Sequence, residues 1–300
     1  MHVEEQGAGW PVVLCHGFPE LSYSWRHQLP VLAAAGYHVM APDQRGYGRS
    51  PIPPAVEDYD IAHLTDDLLR LLDERGIERA AFVGHDWGAL VVWSLALRAP
   101  ERVMGVAALS VPFQPRGVMR SRAAIEEAFA GTWFYVLYFQ EPGVADADLG
   151  RDPATTMRRM MGGLSDGLAG ADDGRGLVER LPEPGGPPDW LTQADLDHYA
   201  AEFTRTGFTG ALNWYRNLDR NWELMAPYDG ALVRVPALFI GGTLDPAMRK
   251  ERVESLGHWV PDLRGTVLLE GAGHWIQQER PDEVNAALVR FLDELDWTGR

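Results

Sequence analysis

Residues 82–90 read FVGHDWGAL and set a carboxylate, Asp86, between Gly84 and Gly88. An apolar run (Ala80, Ala81, Phe82, Val83) leads in, and a helical run, ALVVWSLAL, follows at once. This is the layout of a nucleophile elbow, a strand that turns sharply into a helix and exposes one strained side chain at the tip. The glycines are needed because the turn presses backbone against backbone. Downstream, Asp245 follows the apolar run ALFIGG, and His274 follows TVLLEGAG. Nucleophile, acid, histidine is the chain order of a triad in which the acid orients the imidazole. A serine at the tip would form an acyl-enzyme. A carboxylate is suited instead to displacing a leaving group from an sp³ carbon, which leaves an alkyl ester on the enzyme.

Each residue also has a plainer reading. Asp86 could be a turn residue bonded to its own backbone. His274 could be a satisfied structural histidine. Asp245 precedes Pro246, and Asp-Pro is a common turn opener. The run VAALS, where a triad acid could also follow, is succeeded by Val111 and Pro112 with no acid. That absence favours Asp245, because the imidazole needs one carboxylate. His85 flanks the elbow tip and is expected to bond the scaffold, pointing away from substrate.

The elements that must position these residues are legible in the hydrophobic pattern. VVLCHG, HVMAPD, AAFVGHD, VMGVAALS, ALFIGG and GTVLLEG are short apolar runs that read as parallel strands buried on both faces. Helical stretches between them, such as YDIAHLTDDLLRLLDERG, complete a doubly wound α/β sheet. In such sheets the working residues follow the carboxyl ends of the strands. Only one strand, HVEEQ, fits ahead of VVLCHG. From about residue 112 to 229 the alternation stops. RAAIEEAFAGTWFYVLYFQ and ADLDHYAAEFTRTGFTGALNWYRNLDRNW read as the clearest helices of an insertion over the active edge. Residues 1–112 and 230–300 are therefore predicted to form the core, and residues 113–229 a helical lid, or cap.

Bulk composition narrows the function classes. Three hundred residues with 46% hydrophobic content suit one large α/β domain with an insertion. A net charge of −16 argues against nucleic acid as a partner. The lone Cys15 rules out an internal disulfide framework and a multi-thiolate metal site, and reads as a small buried hydrophobe. No stretch approaches the roughly 18 apolar residues of a membrane span. The start, MHVEEQGAGW, is acidic where a secretory signal is basic and then apolar, so a cytoplasmic location is expected.

Taken together, HGFPE, DQRGYGRS, GHDWG, YFQEPG, LNWYRN and GHWIQQERP resemble the soluble epoxide hydrolases of the α/β-hydrolase superfamily, from Val3 to about Leu292. GHDWG alone is shared with haloalkane dehalogenases. The HGFP turn combined with lid tyrosines separates the two, since dehalogenases usually carry Asn or Glu where this chain has Phe18. An epoxide oxygen leaves as an alkoxide and needs a proton, whereas a halide needs only weak donors. Phenols remain protonated at neutral pH and can supply that proton. Tyr215 lies in LNWYRN, and Tyr135 and Tyr138 share a helical face, so spacing does not choose between the last two. The resemblance implies Tyr135 and Tyr215 as the acids, and as substrate-binding residues with Phe18 and Trp87. It also implies the backbone N–H groups of Phe18 and Trp87 as the oxyanion hole, and a cis Phe18–Pro19 peptide.

The expectation is thus a lidded α/β-hydrolase with catalytic Asp86, Asp245, His274, Tyr135 and Tyr215. It would convert an epoxide and water to a vicinal diol with no metal or organic cofactor, as a monomer or homodimer, without a nucleic-acid or membrane partner. A haloalkane dehalogenase using the same Asp86 and a non-catalytic ligand receptor on this fold are the alternatives. Residue 86 disfavours a serine esterase.

Overall fold

The structure is a computed structural model that describes residues 1–164 and 167–297. The described residues form nine strands: β1 (Val3–Gln6), β2 (Trp10–Cys15), β3 (Tyr37–Pro42), β4 (Ala80–His85), β5 (Val103–Leu109), β6 (Trp133–Phe134), β7 (Ala169–Gly170), β8 (Ala237–Gly242) and β9 (Leu263–Leu269). Seven of them form one sheet in the order β1-β3-β2-β4-β5-β8-β9, and β6 and β7 pair as a separate ribbon. Only β1 runs antiparallel in the large sheet; the other neighbours are parallel.

The chain divides into two units. The first comprises Met1–Gln44, His63–Pro115 and Tyr228–Arg300, and the second Arg45–Ala62 and Arg116–Pro227. In the first unit, every residue of β4, β5 and β8 is buried, as expected of central parallel strands covered on both faces. Alternate residues Val12 and Leu14, Ala81 and Val83, Ala107 and Leu109, and Leu238 and Ile240 join Leu288, Phe291 and Leu292 in one apolar cluster. The period of two sends this set to one face, where the closing helix Pro281–Asp293 lies. Each large side chain so buried contributes about 1.5–3 kcal/mol. β9 departs from the sequence reading: it alternates exposed with half-buried residues, because as the last strand in the order it is covered incompletely.

The second unit is helical, and its two longest sequence patterns are broken up. The pattern beginning RAAIEEAF yields helix Ser121–Ala128, then Gly131 at φ 74°, strand β6, and a single turn at Tyr135–Tyr138. The pattern beginning ADLDHYAA yields Gln193–Thr206, Thr209–Arg216 and Leu218–Leu224. Gly207 ends the first of these at φ 67°, a conformation that favours glycine. Asn217 breaks the second and donates its side-chain amide to Val56 O (2.5 Å) and Asn213 O (2.9 Å).

Arg45–Ala62 belongs with these helices, although the strand–helix alternation places it in the core. Trp214 Nε1 donates to Arg45 O at 3.0 Å, and the Ile61 N–H to Asn221 Oδ1 at 2.7 Å. Gly46 and Gly210 approach so closely that a Cβ on Gly46 would lie 2.8 Å from the Gly210 carbonyl carbon. No spacing rule reports a contact of that kind.

Candidate active site

Asp86 follows β4 and caps helix Trp87–Arg98 with φ 53° and ψ −118°. Positive φ in a non-glycine residue costs about 1–3 kcal/mol and persists only where its surroundings over-determine it. Here they do. The Asp86 N–H donates to Leu109 O at 3.3 Å, and its carbonyl accepts from Ala89 and Leu90 as the helix starts. A Cβ on Gly88 would strike the Cys15 carbonyl, and one on Gly84 the Gly88 carbonyl. The elbow glycines are therefore required by backbone against backbone, as read from the sequence.

The Phe18 N–H donates to Asp86 Oδ1 at 2.9 Å. Phe18–Pro19 is cis. Gly17 gives the carboxylate its room, since a Cβ there would overlap Asp86 Cβ and Oδ1. The Gly17 carbonyl, in the same peptide as the Phe18 N–H, accepts from the Glu20 N–H at 3.1 Å and faces His16 Nδ1 at 2.9 Å. His16 Nε2 accepts the Gln44 N–H at 3.0 Å, so the neutral ring carries its proton on Nδ1 and donates it to Gly17 O. Burial, which disfavours the charged ring, holds the His16 pKa below the ordinary histidine value, in keeping with that tautomer. Trp87 opens the elbow helix, so its backbone N–H is a first-turn donor.

His274 lies in the loop after β9. Its Nδ1 meets Asp245 Oδ1 at 3.0 Å, and its Nε2 stands 3.6 Å from Asp86 Oδ2. Asp245 Oδ1 also accepts the Ala247 N–H at 2.8 Å, so one carboxylate oxygen both closes its own turn and faces His274. Burial works against a charged imidazole. The charge and hydrogen bond of Asp245, then the charges of Asp86 and Glu20, outweigh it and raise the His274 pKa to about 9. Burial likewise works against the Asp245 carboxylate, but His274 and the Ala247 N–H hold its pKa below the usual value.

The sequence reading missed the residues that hold His274 in place. The Glu279 carboxylate accepts the N–H groups on either side, from Gly273 at 2.7 Å and Trp275 at 2.8 Å. The His274 carbonyl takes the Ser110 hydroxyl at 2.9 Å and faces His85 Nε2 at 2.8 Å. His85 is fully buried, as its scaffold reading requires, and its Nδ1 lies 2.6 Å from Glu20 Oε2. Glu20 also accepts from Gly17 N–H (3.1 Å), Gln277 (2.8 Å) and Gln278 (3.0 Å). Burial opposes its charge, but His85 and the Gly17 N–H bring its pKa down to about 2. Glu20 and Glu279 lie in the runs HGFPE and GHWIQQERP; Glu20, set between Pro19 and Leu21, carried a signal as an acid among apolar residues, whereas Glu279, between Gln278 and Arg280, carried none.

The tyrosines lie in the helical unit. The rings of Tyr135 and Tyr215 meet edge to face with centroids 6.1 Å apart. Tyr138 differs: its hydroxyl donates to Asp148 Oδ2 at 3.3 Å, and burial together with Asp148 pushes its pKa up to about 12. The structure thus gathers Asp86, Asp245, His274 and Phe18 in one unit, and pairs Tyr135 with Tyr215 in the other. Among the described residues, no group of three or more His, Cys, Asp or Glu side chains is arranged to hold a metal ion.

Comparison with known proteins matches this geometry to a family. The alpha/beta hydrolase fold family model matches residues 11–281. Epoxide hydrolase A of Mycobacterium tuberculosis is 56% identical over 98% of this chain and 94% of its own length. Bifunctional epoxide hydrolase 2 of Mus musculus is 39% identical over 97% of this chain, but this chain spans 53% of that protein. The crystal structure of epoxide hydrolase A from Mycobacterium thermoresistibile superposes with a TM-score of 0.95 at 57% identity, covering 98% of this chain and 95% of that one. The chain belongs to the alpha/beta hydrolase fold family and, within it, to the epoxide hydrolases.

Proposed function

We propose that this chain is an epoxide hydrolase that works through a covalent ester on Asp86. Asp86 Oδ2 attacks a ring carbon, and the bond from that carbon to the epoxide oxygen breaks. The departing alkoxide takes a proton from the phenols Tyr135 and Tyr215. His274, oriented by Asp245, then removes a proton from water, whose oxygen attacks the carboxyl carbon of Asp86. The N–H groups of Phe18 and Trp87 hold the oxyanion that forms on Oδ1. Collapse expels the second hydroxyl of the diol, protonated from His274; the proton left on the Asp86 carboxyl makes good the one the phenols gave, which restores both carboxylate and phenols.

The observation that carries this reading is that the two oxygens of one carboxylate already differ. Oδ1 accepts the Phe18 N–H at 2.9 Å, and Oδ2 is the oxygen 3.6 Å from His274 Nε2. Identity of 56% to a named epoxide hydrolase across nearly the whole chain supports the substrate class.

The test follows oxygen. After a single turnover in heavy-oxygen water, label is expected in the peptide holding residues 84–88, with the first diol largely unlabelled. Labelled diol in the first turnover would mean that water attacks the epoxide directly. To this reading we attach a cytoplasmic location and a monomeric or homodimeric state. A detoxifying role follows from consuming a reactive electrophile. The net charge of −16 supports the absence of a nucleic-acid partner.

A further inference from the structure

Tyr135 opens a helix of a single turn, Tyr135–Tyr138. So short a helix cannot hold its own geometry in water, and takes it from neighbours. Phe139, fully buried, meets Tyr135 edge-on at 5.5 Å and Tyr215 edge-on at 5.0 Å, so both phenols rest against one ring. The backbone of that ring is held by Arg216, the residue after Tyr215. Arg216 Nε donates to Phe139 O at 3.1 Å, and Nη1 to Asn213 Oδ1 at 2.9 Å. Nη1 also reaches Asp146 Oδ1 at 3.4 Å, and Nη2 bonds Asp146 Oδ2 and lies 3.5 Å from Glu141 O. The Arg216 side chain is only 4% exposed. Gln140 adds a second tie, donating to Val136 O at 2.9 Å and Tyr215 O at 3.0 Å.

From this arrangement we infer that Arg216, locked by Asp146, is a positioning residue that sets the spacing of Tyr135 and Tyr215. The inference rests on the proposed role of those phenols as proton donors to the epoxide oxygen. A planar fork can bond a carbonyl on one edge and a carboxylate on another, which the point charge of lysine cannot do. Asp146 is itself fixed by the Gly143 N–H at 2.9 Å. Burial opposes its charge, but bonds from Arg216 and Thr209 hold its pKa below the usual carboxylate value. Displacement of a reacting group by about 1 Å can cost on the order of 100-fold in rate, so loss of the fork is expected to act on alkylation.

The experiment uses Arg216→Lys and, as a size-conserving second variant, Asp146→Asn. Styrene oxide is the probe, and both half-reactions are timed by quenched flow with mass detection of the ester. Alkylation is expected to slow by roughly 10- to 100-fold, with ester hydrolysis within about twofold of the parent. In a Tyr135→Phe/Tyr215→Phe background, Arg216→Lys is expected to add little to the residual rate of adduct formation, because residues acting through one another are not additive. Equal slowing of both half-reactions, or full additivity with the tyrosine changes, overturns the inference. Unchanged alkylation in both variants overturns it as well. The proposed role of the phenols fails on a different result, a tyrosine double variant that alkylates at the unaltered rate.

Discussion

The Nε2 of His274 stands 3.6 Å from Asp86 Oδ2, with the histidine almost wholly buried and the aspartate side chain 17% exposed. The histidine therefore sees the nucleophile's charge at close range with little water to screen it. One contact raises the proton affinity of His274 before alkylation. Once Asp86 is an ester its charge is gone, and that support is lost.

A pH dependence follows, with a definite sign. His274 has its pKa raised to about 9, supported after Asp245 by the charge of Asp86. Its folded value lies above the unfolded value of about 6.5. The associated stability is thus fully present below pH ~6.5 and is lost as pH climbs through about 9. Asp86→Asn is expected to lower the His274 pKa, seen in its imidazole NMR titration, and to shrink the loss of Tm over that window. Ester hydrolysis, which needs neutral His274, should reach its plateau at a lower pH than free-enzyme His274 titrates. A titration unmoved in Asp86→Asn would show that the contact carries no charge coupling.

His274→Gln separates the half-reactions. Asp86 keeps its attack and loses the base that activates water, so the ester should accumulate as a mass increase of one substrate per chain. Intact-protein mass spectrometry after mixing with epoxide is the measurement. Turnover without a detectable adduct would contradict the covalent route.

Tyr135→Phe and Tyr215→Phe should each slow alkylation, and together nearly abolish it, because the alkoxide then has no phenol to take a proton from. General-acid assistance is typically worth about 100- to 10,000-fold. Diol formation at an undiminished rate in the double variant would remove both phenols from the mechanism and leave the epoxide oxygen to another proton donor.

Gly17→Ala probes the room around the nucleophile. Its Cβ would overlap Asp86 Cβ and Oδ1, so either the Phe18 N–H or the carboxylate must shift. Loss of one oxyanion donor costs about 100- to 1,000-fold in kcat, and a drop of that order is expected while cooperative melting is retained. Activity near that of the parent would mean that the Phe18 N–H is not a working donor.

Local patterning determined much of this protein. The central strands of the sheet announce themselves as apolar runs, because both faces of a central parallel strand must be covered. The elbow is equally local, since Gly84, Asp86 and Gly88 lie within one turn. The order Asp86, Asp245, His274 could be read because each follows a strand end, and strand ends share one edge of such a sheet.

What only the tertiary structure decided are the bonds and contacts that local spacing does not encode. Nothing in the sequence pairs Glu279 with the N–H groups beside His274, or Ser110 with its carbonyl. Propensity carried two helical patterns through Gly131, Gly207 and Asn217, and the chain breaks at each, with tertiary bonds holding Asn217. Spacing could not separate Tyr135 from Tyr138; Asp148, ten residues beyond Tyr138, bonds it. Arg45–Ala62 falls in the helical unit, where Gly46 and Gly210 touch backbone to backbone. A periodicity records which face of an element is apolar, and it holds no information about which distant polar group a buried donor or acceptor will find.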